Sequence, residues 1–183
     1  MIITVTGKPF SGKTEVAKYI SIFHGFKAYY GGQMFRQVAT ERGIDILELN
    51  RLKDTSIDKK VDSIFEEIGK KSLNEDIIID SRTAWHFISG SFKVFLDVDE
   101  DIQISRMLLS KRGDEKTDLT VEDAKKSVNE RWNLENERYK AFYGFDNTNP
   151  NVFDCVINDS KLTIEETAEA VYEAYQEFIK DKK

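Results

Sequence analysis

The sequence predicts an α/β fold, a doubly wound parallel five-stranded sheet flanked by helices. Three observations predict it. Short apolar runs at 2–6, 28–30, 76–80, 93–98 and 152–157 are separated by stretches of helical periodicity. Two of these runs, Ile77-Ile78-Ile79 and Val94-Phe95-Leu96, are hydrophobic without alternation, as strands covered on both faces must be. Between the first run and the first helical stretch stands Gly7-Lys8-Pro9-Phe10-Ser11-Gly12-Lys13-Thr14, which fits GxxxxGK[ST] at every fixed position.

That turn organises the chain. Amide N–H groups around its glycines can face one phosphate group, and the helix that follows adds its partly positive N-terminus to the same spot. Gly7, Lys8, Pro9, Phe10, Ser11 and Gly12 are therefore the expected anion cradle. Lys13 would reach the β- and γ-phosphates of ATP as a point charge, and the Thr14 hydroxyl would ligate the Mg²⁺ that bridges them.

The whole chain limits what else it can be. Its 183 residues are the size of one domain, 1–183. With 27 Lys and Arg against 33 Asp and Glu, the net charge is -6, and extended contact with nucleic acid or an anionic membrane is disfavoured. An anionic ligand must then be met by a local cluster of cations. The single cysteine, Cys155, supports neither an internal disulfide nor a zinc cluster, and its apolar neighbours make it a core residue. The N-terminus enters a strand at once and no apolar run approaches membrane-spanning length, so a cytoplasmic protein is expected.

The elements follow in order. The first helix begins near Lys13, turns Val16, Ala17, Ile20 and Phe23 inward and stops near Gly25, with His24 as a surface residue at its end. The stretch 31–74 is too long for one crossover and reads as a helical insertion. One helix follows Gly31-Gly32 to Gly43, and another spans 57–73 with Ile57, Val61, Ile64, Phe65 and Ile68 at core spacing. Asp58 and Asp62 are neighbours on that second helix, either as a solvated acidic face or as ligands of a base. Strand three ends in Asp80-Ser81-Arg82. Asp80 there can hold the waters of Mg²⁺ or act as an ordinary cap, and Trp85 is either a core anchor or a platform for a base. A helix over 99–111 precedes a charged loop at 112–118. Thr120 with Asp123 resembles a capping box opening a long helix through Tyr143. Arg131, Glu135 and Arg138 share one face of it, either as an ion-paired solvated stripe or as a clamp on a transferring phosphoryl group. Thr163 with Glu166 caps the last helix, which buries Ile164, Ala168, Val171, Ala174, Tyr175 and Phe178.

Taken together, this ordered series resembles the nucleoside monophosphate kinases, and within them the short, archaeal-type cytidylate kinases. Beyond the phosphate loop, the resemblance is carried by Gly31-Gly32 with Phe35-Arg36, Glu41-Arg42-Gly43, Ile57-Asp58, Val61-Asp62, Ser81-Arg82 with Trp85, Arg106 and Arg112. It continues through Arg131, Glu135, Arg138-Tyr139-Lys140, Tyr143-Gly144-Phe145-Asp146 and Val156-Ile157-Asn158. It covers nearly the whole chain. It implies that ATP donates its γ-phosphate to CMP or dCMP, with a nucleotide-binding insertion at about 31–74 and a lid at about 112–138. In that scheme Lys13 and Thr14 take the donor phosphates and magnesium, with Asp80 as the second metal residue. Arg36 and Arg82 take the acceptor's phosphate, with Ser81 and Glu135 beside them. Arg131 and Arg138 are the lid arginines, Arg106 and Arg112 flank the donor, and Asp58 and Asp62 contact the base. The partners implied are small-molecule nucleotides, ATP and a pyrimidine monophosphate, bound by a monomer or weak homo-oligomer. Three positions depart from the family pattern: Ser81 where glycine is common, Gln103 where an arginine is usual and Asp159 in place of a threonine. The alternatives are another P-loop small-molecule kinase, acting on UMP, AMP or a non-nucleotide acceptor, and a nucleotide-binding module without turnover.

Overall fold

The computed structural model describes residues 1–43, 56–71, 75–110 and 120–182. In chain order the elements are β1 (Ile2–Gly7), α1 (Lys13–His24), β2 (Lys27–Tyr30), α2 (Gly31–Glu41), α3 (Ser56–Lys71), β3 (Ile77–Asp80), α4 (Ala84–Phe87) and β4 (Phe92–Asp97). They continue with α5 (Glu100–Leu109), α6 (Val121–Tyr143), a 3₁₀ turn (Pro150–Val152), β5 (Cys155–Asn158) and α7 (Ile164–Asp181). The five strands form one sheet in the order β2-β3-β1-β4-β5, and every pairing is parallel. The expected doubly wound sheet is therefore present, with β1, the strand that delivers the phosphate loop, at its centre.

Strand alternation decides which face each helix covers. Ile3 and Val5 of β1, Ile78 of β3 and Val94 and Leu96 of β4 pack under α1 and α7 with Val16, Ala17, Ile20, Ala168, Val171 and Tyr175. Their neighbours Ile77 and Ile79 point the other way, against Val38 of α2 and Ile57, Val61 and Phe65 of α3. Burying a side chain such as Phe65 or Ile78, each fully covered, contributes about 1.5–3 kcal/mol of transfer free energy. This places the apolar ridge of α3 on the sheet and leaves its next face to look along the carboxyl edge. Both caps foreseen are formed: the Asp123 amide donates to Thr120 Oγ1 at 3.1 Å, and Thr163 and Glu166 make a reciprocal capping box.

Three expectations are corrected. Phe23 is 65% exposed, because the buried stripe of α1 runs through Val16, Ala17 and Ile20 and position 23 falls beyond its edge. His24 is half-buried instead. Its ring stacks on Tyr172 of α7 at 3.7 Å and its Nε2 lies 3.1 Å from Glu169 Oε1, a contact between two helices far from the phosphate loop. Val152 belongs to the 3₁₀ turn, where Pro150 sets a helical φ, so β5 begins only at Cys155. The charged loop 112–118 lies outside the described residues.

Candidate functional site

A cleft of about 540 Å³ opens at the carboxyl edge of the sheet. The phosphate loop and the start of α1 contribute Pro9, Phe10, Gly12, Lys13 and Thr14, and the end of β3 with the loop after it adds Asp80, Ser81, Arg82 and Thr83. Helix α2 supplies Phe35 and Arg36, α3 supplies Asp58 and Asp62, and α6 supplies Arg131, Glu135, Arg138 and Tyr139. Lys13, Thr14, Arg36, Arg82, Arg131 and Arg138, from the expected donor, acceptor and lid sets, thus meet in one space. Gly7, Lys8 and Ser11 are not in its lining. Ser11 is fully buried, and the Lys8 ammonium lies 2.6 Å from Asp97.

The loop's shape follows from its residues. Gly7 stands at φ 146°, and a Cβ there would lie 2.1 Å from the Leu96 carbonyl oxygen, so no other residue fits. Gly12 takes φ 69° immediately before α1. Phe10 is the one described non-glycine residue in the left-handed region, at φ 60°, a conformation that costs on the order of 1 kcal/mol. Two cleft-lining cations rest on this loop's carbonyls: Arg82 Nη1 donates to Gly7 O, and Lys13 Nζ donates to Lys8 O and to Ser11 Oγ. Burial, and after it the charge of Arg82, push the Lys13 ammonium well below its usual value. Asp80 and Glu135 counter this only in part. A cation set that disfavours its own charges gains most from a polyanion.

Glu135 is the hub of the arginines. It is 8% exposed, its Oε2 is 2.7 Å from Arg82 Nε and its Oε1 accepts from Arg131 Nε at 3.1 Å. Burial alone would raise this carboxyl, but Arg82 and Arg131 outweigh it and hold it below the ordinary range. The solvated-stripe reading of α6 therefore fails: Glu135 is buried, and the Arg138 side chain is only 9% exposed. Arg138 sits 3.3 Å from Asp58 and over the rings of Phe35 and Tyr139.

The solvated reading of the two aspartates fails as well, since Asp58 and Asp62 are 6% and 4% exposed. Asp62 accepts from Thr83 Oγ1 at 2.7 Å through one oxygen and from the Tyr143 hydroxyl through the other. Burial raises its carboxyl above the usual range against the pull of these bonds. Asp62 thereby ties α3 to the post-β3 loop and to the end of α6. Thr83, Tyr139 and Tyr143 in these roles escape sequence reasoning, because nothing in spacing links residues so far apart.

The remaining positions are as follows. The Thr14 hydroxyl donates to Asp80 Oδ2 at 2.6 Å beside the loop. This pair of hard oxygen donors suits Mg²⁺ held largely by phosphates and water, and among the described residues no group of three or more His, Cys, Asp or Glu forms a separate cage. Ser81 lines the cleft, yet its Oγ accepts from the amides of Thr83 and Ala84, which starts α4. Trp85 is a core anchor, packed on Phe145 and Phe153, with its indole N–H donating to Asn147 Oδ1 at 2.8 Å. Arg36 is exposed at the cleft rim. Arg106 is outside the cleft lining, and its Nη1 donates to both carboxylate oxygens of Asp159 at 2.9 Å. Arg112 lies outside the described residues.

Two curated relatives are cytidylate kinases. That of Methanocella arvoryzae is 31% identical over 98% of this chain and 99% of its own length, and that of Sulfurisphaera tokodaii is 32% identical over 98% and 97%. Among solved structures, shikimate kinase from Bacteroides thetaiotaomicron aligns with a TM-score of 0.62 at 14% identity, over 98% of both chains, a likeness of fold alone. The model of the cytidylate kinase-like family matches residues 2–161. With its phosphate loop, converging arginines and these relatives, the chain is an ATP-dependent phosphotransferase of the P-loop kinase fold, and it belongs to the cytidylate kinase-like family.

Proposed function

We propose that this protein transfers the γ-phosphoryl group of ATP to CMP or dCMP, giving ADP and CDP or dCDP. The observation that carries the reading is the convergence of Lys13, Arg82, Arg131 and Arg138 on one cleft that also holds two buried carboxylates, Asp58 and Asp62. Phosphoryl transfer needs positioning and charge neutralisation more than covalent help from the protein. Lys13 and the loop amides bind the donor's phosphates. Arg82 and Arg36 hold the acceptor's phosphate, while Arg131 and Arg138 neutralise the charge that spreads over the group in transit. Glu135 orients Arg82 and Arg131 rather than touching the reacting atoms. Asp58, 3.3 Å from Arg138, and Asp62, bonded to Thr83 and Tyr143, are the two carboxylates assigned to the base. Thr14 and Asp80 would hold Mg²⁺, which supplies further neutralisation of the donor phosphates when bound.

In this reading the segment 31–74 is the acceptor-binding insertion and 112–138 the lid, whose approach excludes water from the site. The test is ADP release measured against CMP, dCMP, UMP, AMP and non-nucleotide alcohols. The expected result is kcat/KM highest for CMP or dCMP. Turnover confined to another acceptor would replace the substrate assignment, and ATP binding without turnover on any acceptor would refute the proposed reaction.

A further inference from the structure

The phosphate loop is held at four consecutive carbonyls by side chains from different elements. Gly7 O accepts from Arg82 Nη1 and Lys8 O from Lys13 Nζ, both of which line the cleft. Pro9 O accepts from Gln103 Nε2 at 2.7 Å and Phe10 O from Arg106 Nη1 at 3.2 Å; neither of these donors lines it. The inner pair belongs to the phosphate-binding machinery and must change partners when a nucleotide arrives. The outer pair is free to stay.

We infer that Gln103 is a positioning residue for the donor site, clamping the phosphate loop from behind together with the Arg106–Asp159 pair. Four observations support this. The clamp falls on the segment that includes Phe10, whose positive φ needs surrounding structure to over-determine it. Phe10 packs against an apolar cluster made of Ile104 and Met107 of the same helix and Ala124 and Val128 of α6, so the loop is met by this cluster at its side chain and by α5 donors at its backbone. Gln103 is 4% exposed, and at that depth a neutral amide can satisfy a carbonyl without bringing in a charge that needs a counterion. The carboxylate at hand, Asp159, is 1% exposed and already accepts from Arg106 through both oxygens, with its backbone carbonyl accepting from Nη2 at 3.1 Å. Gln103 and Asp159 thus form one arrangement with Arg106 behind the loop.

The inference rests on the phosphotransferase reading and on no particular acceptor, so its test is made on binding. Gln103→Met keeps the side-chain length and removes the N–H donors, and Gln103→Asn keeps the amide but shortens its reach. For each variant the affinities of ATP, of inorganic tripolyphosphate and of CMP are measured separately by calorimetry. The expected result is a loss of about tenfold for ATP and tripolyphosphate alike, equivalent to ~1.4 kcal/mol, with CMP affinity within a factor of about two of the parent. Unchanged ATP affinity in both variants overturns the inference. So does an equal loss for ATP and CMP, which would make Gln103 a general packing residue. Failure of both variants to fold would overturn it in the same way.

Discussion

Replacing Glu135 by Gln tests the charge logic of the cleft most directly. The carboxylate faces Arg82 Nε at 2.7 Å and Arg131 Nε at 3.1 Å, but the two pairs are not equivalent: the Arg82 side chain is 15% exposed and that of Arg131 40%. Breaking a buried pair by removing one partner costs about 3–5 kcal/mol, whereas an exposed pair is worth under ~1 kcal/mol. Glutamine still offers an oxygen to one guanidinium, so the low end applies, ~3 kcal/mol in the absence of nucleotide. For a chain of this size that lowers Tm by about 6–12 °C. ATP with CMP should then raise the Tm of Glu135→Gln by more than it raises the parent's, because incoming phosphates neutralise guanidiniums that have lost their carboxylate. The pH dependence has a definite sign. The folded-state value of Glu135 is lowered, so its stabilisation is full above the ordinary carboxylate range and is lost as pH falls through that lowered value. The gap between parent and variant should therefore narrow on acidification. Thermal denaturation with and without ligand measures all three effects. A ligand-free Tm within about 2 °C of the parent, or equal ligand increments, would refute the assignment of Glu135 as the arginines' counterion.

Two other outcomes are expected. Tyr143→Phe removes one of the two protein bonds to Asp62, loosening the tie between α3 and α6. KM for the acceptor should rise about threefold to tenfold while KM for ATP stays within a factor of about two, as steady-state kinetics would show. Gly7→Ala would set a methyl group 2.1 Å from the Leu96 carbonyl at a φ that alanine rarely adopts. A loss of stability above ~3 kcal/mol is expected by urea denaturation, together with loss of ATP binding.

Local chemistry was legible in the sequence. The phosphate loop, the unbroken apolar strands and the Thr120 and Thr163 caps each lie within a few neighbouring residues, and each follows from rules of that range. Glu135 was legible as a partner of Arg131, one turn away on the same helix, but its pairing with Arg82 depends on how α6 crosses the end of β3. The buried state of Asp58 and Asp62 was not legible, since a helix's polar spacing looks the same facing water or facing a cleft. Phe23 and His24 exchanged their expected environments for a related reason. The register of α1 against α7 decides which of the two is covered, and that register is a property of the packed pair.

The hold of Arg82 and Lys13 on the loop's own carbonyls has a bearing on turnover. Each cation begins the cycle already solvated by the backbone, so a nucleotide entering the cleft trades one set of partners for another instead of meeting bare charges. Such an exchange trims the net gain on binding and returns it when product departs, as the oxygens of Gly7 and Lys8 compete for the same donors. In the proposed reaction the loop would thereby act as its own leaving aid, favouring rapid clearance of spent nucleotide over tight retention.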